Sequence, residues 1–553
     1  MARPHGTVGH KRSWKAGIFF SVLVFLLLNT AKIDWIDRFV LRDWHYVNQL
    51  KLLVYLSVNL FFFLVILRFR NRLVFAAFYA LQAVYLFIHF SFFLFFDVPF
   101  HTRQAATELL ESATIIRHFI VPWDWRYLVI LIDLPAVVFL LIHFRALAGI
   151  TWQKRRHNYL FWALLAVIGF LVPYSYRAFD IAEKLKNQYA GEMLLIADYG
   201  VTTNDILDSV LYFREAPVIK DFTYGNSLIV RRQAPVSPKN IICVQVESLD
   251  ANMIGLDYQG RHVMPFLRDL AGHSVYYPFV FYYKLAGSTS DTEFAVLNNT
   301  VPSRFFPSMK LRNYDYPNSI VKELEKAGYA TLAFHNNVDY FFNRDVAYFR
   351  MGFHHFYDRL KMGLKEADWG ATDGDVLKYA SRALAVQKQP FFAYIITMSS
   401  HYPYKWTSRF YKDPQFDSVE DERTRDFLNS FSYVDSVLRN FVTFIRANVK
   451  DTYIFIYGDH AAPIMNDYLF HKDRGVPLFI ITPDGRQYRE AGKTVSFLDL
   501  SSTILGASGV DFRIMNTGAD LLNYPIKDSS FYLGSGQYRD REDSFRDLMQ
   551  GLK

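Results

Sequence analysis

Apolar residues crowd into five stretches in the first third of this 553-residue chain, and that crowding decides which solvent its front can fold in. The stretches run from Ala16 to Ile36, Leu50 to Leu67, Leu73 to Phe96, Tyr127 to Phe144 and Tyr159 to Tyr174. Each approaches the ~20 residues that an α-helix needs to cross ~30 Å of hydrocarbon, where backbone polar groups must be satisfied within the segment. The pattern predicts a five-helix transmembrane domain over residues 1–176, with the termini on opposite sides. Arg3, Lys11, Arg12 and Lys15 precede the first stretch, Arg68, Arg70 and Arg72 fill the second connection, and Arg145, Lys154, Arg155 and Arg156 the fourth. The positive-inside rule then puts the N-terminus in the cytoplasm and everything after Tyr176 outside. A cleaved signal peptide is a poorer reading of the first stretch, because "LLLNTAKIDW" lacks a small-residue cleavage site and four more stretches follow.

The net charge of +8 does not point to nucleic acid, since much of it sits at these membrane flanks. The single cysteine, Cys243, excludes an intramolecular disulfide, and its place in the apolar run "NIICVQV" marks it as a buried, inert thiol. Residues 177–239 are mixed and polar, with helical patches such as "FDIAEKLKNQYAGEMLLIADYG", and read as a juxtamembrane helical connector over the membrane surface.

From Asn240 onward short apolar runs alternate with helical patterns: "NIICVQV", "ATLAF", "PFFAYIIT", "TYIFIY" and "VPLFIIT" are separated by segments such as "SIVKELEKAGY" and "SYVDSVLRNFVTFIRAN". Such alternation predicts an α/β domain over 240–553, with a mainly parallel sheet covered by helices on both faces. Ligands bind outside the carboxyl ends of parallel strands. There the runs deliver Glu247, His335, His401 and the pair Asp459-His460. Singly, such residues are turn formers or structural histidines. Together they form a mixed oxygen and nitrogen set suited to Mn²⁺, Zn²⁺ or Mg²⁺.

The segment "LAGSTSDTEF", Leu285 to Phe294, puts small hydroxyls at the mouth of a helix-compatible run. Ser290 and Glu293 match the capping box S-x-x-E, which places Ser290 at the N-cap and Thr289 just outside the helix. A hydroxyl there lies beside unpaired N–H groups at the positive end of the helix dipole, which favours phosphate and an alkoxide. The expectation is that Ser290 caps and Thr289 acts as nucleophile.

"VQVESL", "GSTSDTEF", "FHNN…YFFNRD", "TMSSH" and "GDH" resemble the motifs of the lipoteichoic acid synthase family, membrane phosphoglycerol transferases of the sulfatase and alkaline phosphatase superfamily. The similarity runs from about Lys239 to Gly536, and the five-span front matches in layout. The resemblance implies one metal ion, Mn²⁺ in the synthases, held by Glu247, Thr289, Asp459 and His460. It implies that His335, Arg344 and His401 contact phosphoglycerol, with His401 also a candidate for proton transfer. Phe342 replaces a family Trp two residues before the arginine, keeping an aromatic wall without an indole N–H.

The implied function is transfer of phosphoglycerol from phosphatidylglycerol to a glycan or glycolipid acceptor, at the outer face of a bacterial cytoplasmic membrane. A phosphoethanolamine transferase is the alternative, although those enzymes usually carry several disulfides. A sulfatase-like hydrolase would need a Cys or Ser in a C/S-x-P-x-R context, which "STSDTE" lacks. A non-catalytic lipid-binding module would lack donor or nucleophile residues, and each is present. His471, in "FHKDRGVPLF", precedes the run "VPLFIIT" and is therefore expected at the amino end of a strand, away from the site unless its loop folds back over it.

Overall fold

The computed structural model describes residues 7–40, 51–69, 71–96, 100, 124–153, 196, 200–202, 204–205, 227–230 and 237–550, the last range without 286, 304–306, 312–313, 368–369, 403, 463–474, 491, 510–511, 516–517, 523–528 and 535–536. Two compact units emerge, Met1–Thr107 with Phe119–Arg214 and Glu108–His118 with Glu215–Lys553.

The first unit is helical: α1 (Thr7–Val40), α2 (Lys51–Phe69), α3 (Arg72–Phe96) and a 3-10 turn (Trp125–Leu131) leading into α4 (Leu134–Gln153). These elements lie on four of the five expected spans, and the fifth, Tyr159 to Tyr174, lies outside the described residues. Among the described residues, two helical stretches, Arg72–Leu94 and Trp125–Arg145, are long and apolar enough to cross a membrane. Phe25, Phe63, Phe75, Leu140 and Phe144 pack into one apolar core. Charges buried among such residues must be paired. Lys32 Nζ lies 2.8 Å from Asp133, which also accepts hydrogen bonds from Tyr79 and Asn29. Of the expected connector, Ile196 and Val201 pack into a second apolar core of this unit. The Val201 N–H donates to Asp37, and the Tyr85 hydroxyl donates to Asp205. Most of the remaining connector lies outside the described residues.

The second unit is built on a nine-stranded sheet. Its strands are β1 (Asn240–Val246), β2 (Val275–Phe281), β3 (Ala330–His335), β4 (His355–Tyr357), β5 (Phe391–Ile396), β6 (Thr452–Gly458), β7 (Val476–Ile481), β8 (Tyr488–Arg489) and β9 (Val495–Ser496). The order is β8-β2-β7-β6-β1-β5-β3-β4, with β9 also on β2. All neighbours are parallel except β7, which runs antiparallel to both β2 and β6. The mainly parallel α/β expectation holds.

The residues of β1 are buried throughout, as a central strand covered on both faces requires. Alternate side chains enter opposite cores: Ile241 and Cys243 one, Ile242, Val244 and Val246 the other. The first core includes Phe294 and Leu297 of α6 (Thr289–Asn298) and Leu500 and Ile504 of α11 (Phe497–Ser508). The second includes α9 (Asp373–Ala385) and α10 (Glu422–Asn448) through Leu377, Leu384, Phe431 and Leu438. Three shorter helices complete the set used below: α5 (Pro265–Leu270), α7 (Ile320–Lys326) and α8 (Arg344–Met351). Cys243 is fully buried, and burial alone pushes its thiol well above the ordinary range, so it stays protonated and inert.

The antiparallel β7 overturns the argument made for His471. Leu478 pairs with Tyr457 and Ile481 with Ile454, so the start of β7 meets the carboxyl end of β6. Val476, which opens β7, therefore lies toward the same sheet edge as Asp459, not the opposite one. His471 itself lies outside the described residues.

Candidate active site

Three elements converge at the carboxyl edge of the sheet. Glu247 follows β1, Asp459 and His460 follow β6, and Thr289 opens α6. Because β1 and β6 are adjacent and in register, with Val246 opposite Gly458, their next residues fall side by side. Gly458 is required at this crossing: a Cβ there would stand 2.0 Å from the Leu249 carbonyl. One oxygen of Asp459 accepts the Ser248 and His460 backbone N–H groups, each at 2.7 Å, which fixes the carboxylate. Glu247 accepts the Ser248 hydroxyl at 2.9 Å and the Thr289 hydroxyl at 3.1 Å, one on each oxygen.

Ligand atoms of Glu247, Asp459 and His460 lie within 4.8 Å of one another, and all three residues are buried. Burial raises Asp459 to about 7 and lifts Glu247 above its ordinary range, the charge of Asp459 adding to the latter. Burial also lowers His460 to about 4, so its imidazole is neutral near pH 7. Its Nδ1 then donates to the Ala461 carbonyl at 3.1 Å, leaving the Nε2 lone pair 3.6 Å from both carboxylates and 3.4 Å from Thr289 Oγ1. Asp459 Oδ2 is buried without a hydrogen-bond partner. Acceptors facing acceptors around an orphaned carboxylate oxygen form an arrangement that a cation resolves. The donor set fits a divalent ion.

A second cluster lies one turn along α6. Arg344, at the start of α8, forms a fully buried pair with Glu293, with Nε 2.9 Å and an Nη 2.5 Å from its two oxygens. Its other Nη donates to His335 Nε2 at 3.2 Å. Burial, and then the Arg344 charge, hold His335 well below its ordinary range, so it is a neutral acceptor here and Nδ1 carries the proton. Phe342, in the left-handed region at φ 57° and ψ 22°, places its ring 5.3 Å from the Arg344 guanidinium. Thr289 and Glu293 are four apart on α6 and share its face, which links the clusters. His401 stacks on Trp406 with ring centroids 6.0 Å apart, and it lies within electrostatic range of Glu247 and His460.

The capping expectation is corrected. α6 begins at Thr289, its N-cap is Ser288, and no side chain caps it. The Ser290 hydroxyl instead donates to the Gly287 carbonyl at 2.8 Å, and Glu293 is taken by Arg344 and by the Tyr348 hydroxyl. A carboxylate with a buried guanidinium within reach gains more from that charge-assisted pair than from one backbone N–H. Sequence reasoning also passed over Asp291 and Thr292; the latter's hydroxyl ties α6 to the Asp459 carbonyl at 2.8 Å. Their only signal was the density of small polar residues in "STSDTE".

Comparison with known proteins follows the same lines. The sulfatase family model matches residues 239–510. The lipoteichoic acid synthase of Staphylococcus saprophyticus subsp. saprophyticus is 27% identical over 321 residues, covering 55% of this chain and 45% of that protein. Lipoteichoic acid synthase 2 of Bacillus subtilis is 25% identical over 383 residues, covering 65% and 56%. The chain thus spans about half the length of the curated relatives it matches. Among solved structures, the integral membrane lipooligosaccharide phosphoethanolamine transferase A of Neisseria meningitidis shares the fold, with a TM-score of 0.56 over 89% of this chain and 95% of that one at 14% identity. The chain therefore carries a sulfatase-family domain and fits the lipoteichoic acid synthase family of the alkaline phosphatase superfamily.

Proposed function

We propose that this chain is a membrane-anchored transferase that moves phosphoglycerol from phosphatidylglycerol to a hydroxyl of a glycan or glycolipid, through an ester on Thr289. The observation that carries the reading is the position of Thr289 Oγ1, at a helix N-terminus and within 3.1 Å of Glu247 and 3.4 Å of His460. The curated relatives are named lipoteichoic acid synthases, the family whose resemblance implies phosphoglycerol transfer, and the single cysteine agrees with that choice over phosphoethanolamine.

Glu247, Thr289, Asp459 and His460 would hold one divalent ion, Mn²⁺ by family likeness, which when bound supplies a lowered hydroxyl pKa and neutralises phosphoryl charge. Thr289 Oγ1 attacks phosphorus, forming the Oγ1–P bond as the P–O bond to diacylglycerol breaks; the threonine proton ends on the departing diacylglycerol oxygen. An acceptor hydroxyl then attacks the same phosphorus, breaks the Oγ1–P bond and returns a proton to Thr289. His401, beside the cluster, is the group proposed to carry protons in these steps. His335 and Arg344 present the head-group face, with Phe342 as its wall. Arg344 is fixed by Glu293 through Nε and one Nη and reaches His335 with the other, so it brings a positioned positive charge to that face.

The anchor in this reading is five spans with residues 1–176 in the membrane and the catalytic domain outside, where the donor lipid stays within reach. The test is incubation of the purified full-length protein with Mn²⁺ and head-group-labelled lipids. Diacylglycerol release with transfer of glycerol label supports the proposal; transfer of ethanolamine label alone supports the phosphoethanolamine reading instead.

A further inference from the structure

Asp291 takes no part in the chemistry proposed above, yet its carboxylate is fully buried two residues beyond Thr289. A buried carboxyl group is costly in such a place unless donors are aimed at it. Two are: the backbone N–H groups of Leu285 at 2.7 Å and Gly287 at 2.9 Å both donate to Asp291 Oδ2. The next peptide group is also fastened, because the Gly287 carbonyl accepts the Ser290 N–H at 3.0 Å and the Ser290 hydroxyl at 2.8 Å.

Between these fastenings Ser288 is held at φ 49° and ψ −119°, in the left-handed half of backbone space that non-glycine residues avoid. The following residue is Thr289. There is no slack in the turn: a Cβ on Gly287 would stand 2.5 Å from Asp291 Oδ1 and 2.6 Å from Ser290 Oγ.

We propose that Asp291 is a positioning residue, whose carboxylate holds Gly287 and Ser288 in this strained turn so that Thr289 Oγ1 is presented to Glu247 and His460. The inference rests on Thr289 being the nucleophile, and it adds that the nucleophile's aim is set from within its own helix. Loss of the clamp slows formation of the threonine ester while leaving Glu247, Asp459 and His460, which hold the ion between them, and the head-group face in place.

The test uses the full-length protein with Mn²⁺ and labelled phosphatidylglycerol, measuring kcat, KM for the lipid, bound Mn²⁺ and the single-turnover rate of Thr289 labelling. Asp291→Ala is expected to lower kcat and the labelling rate by about 100-fold, the scale of a small misplacement of a reacting group. KM and bound Mn²⁺ should stay near wild type. Asp291→Asn keeps a carbonyl acceptor for the same N–H groups and should recover most of the rate. Gly287→Ala, which crowds the clamp from the other side, should slow the same step, and it decides the matter where Asp291→Ala does not fold. A wild-type labelling rate in folded Asp291→Ala, or in Gly287→Ala, overturns the inference. So does a loss that follows falling Mn²⁺ content, which would make the role structural. Thr289→Ala run alongside separates the two claims: an active Thr289→Ala protein removes the proposed function, whereas an inactive one beside an unimpaired Asp291→Ala protein removes only the role of Asp291.

Discussion

Glu247, Asp459 and His460 were legible as single residues because each ends an apolar run, and the ends of parallel strands share one edge. Ser290 and Glu293 were misread at the same scale. Their spacing is that of a capping box, and nothing local reveals that Arg344, 51 residues further on, occupies Glu293. A contact over that separation is set by how β3 and α8 fold back onto α6, which spacing along the chain does not encode. The buried donor set leads to a prediction about metal content. Glu247→Gln, Asp459→Asn and His460→Ala should each lower bound Mn²⁺ and turnover together, because an incomplete shell loses both charge and geometry. Elemental analysis of the purified variants alongside lipid turnover checks this, and a variant with full metal and full activity contradicts the assignment.

Five strands of the sheet, β1, β3, β5, β6 and β7, lie where the apolar runs put them, since burial on two faces imposes continuous apolar runs. β2 was missed for a physical reason. It contains Pro278, which cannot donate to a ladder, and the register with β7 shifts beside it, between Val476 and Leu478. The reversed direction of β7 was equally hidden, because an apolar run carries no sign of its direction. Cross-element capping escaped notice too: Asp435 of α10 accepts the Phe266 and Leu267 N–H groups at the start of α5, where Met264 provides no cap. Burial pushes Asp435 up to about 6, against these N–H groups and Arg439. The folded state therefore holds the proton more tightly than the unfolded chain, whose reference value is 3.8. The contribution is full below the unfolded value and is lost as pH rises through about 6, by at most about 3 kcal/mol. Asp435→Asn lacks this titration. Its deficit relative to wild type should shrink between pH 4 and pH 6 in paired thermal melts, a window set by those two values; parallel curves contradict the account.

At the scale of the molecule, the sequence conveyed two solvents and a transferase-like soluble domain, while the number of crossings rests on flanking charge and apolar length. The charge asymmetry predicts that a reporter fused after Lys239 is active only outside the cytoplasm and one near Arg155 only inside; reversed signals overturn both the span count and the orientation. In the proposed reading the chain itself carries the transferred group between donor and acceptor. The most direct measurement is therefore mass spectrometry of the full-length protein quenched with Mn²⁺ and phosphatidylglycerol but no acceptor. The account predicts a glycerophosphoryl adduct on the peptide containing Thr289, absent from a folded Thr289→Ala protein that no longer transfers. An unmodified Thr289 in an enzyme that releases diacylglycerol, or a Thr289→Ala protein that still transfers label, would contradict it.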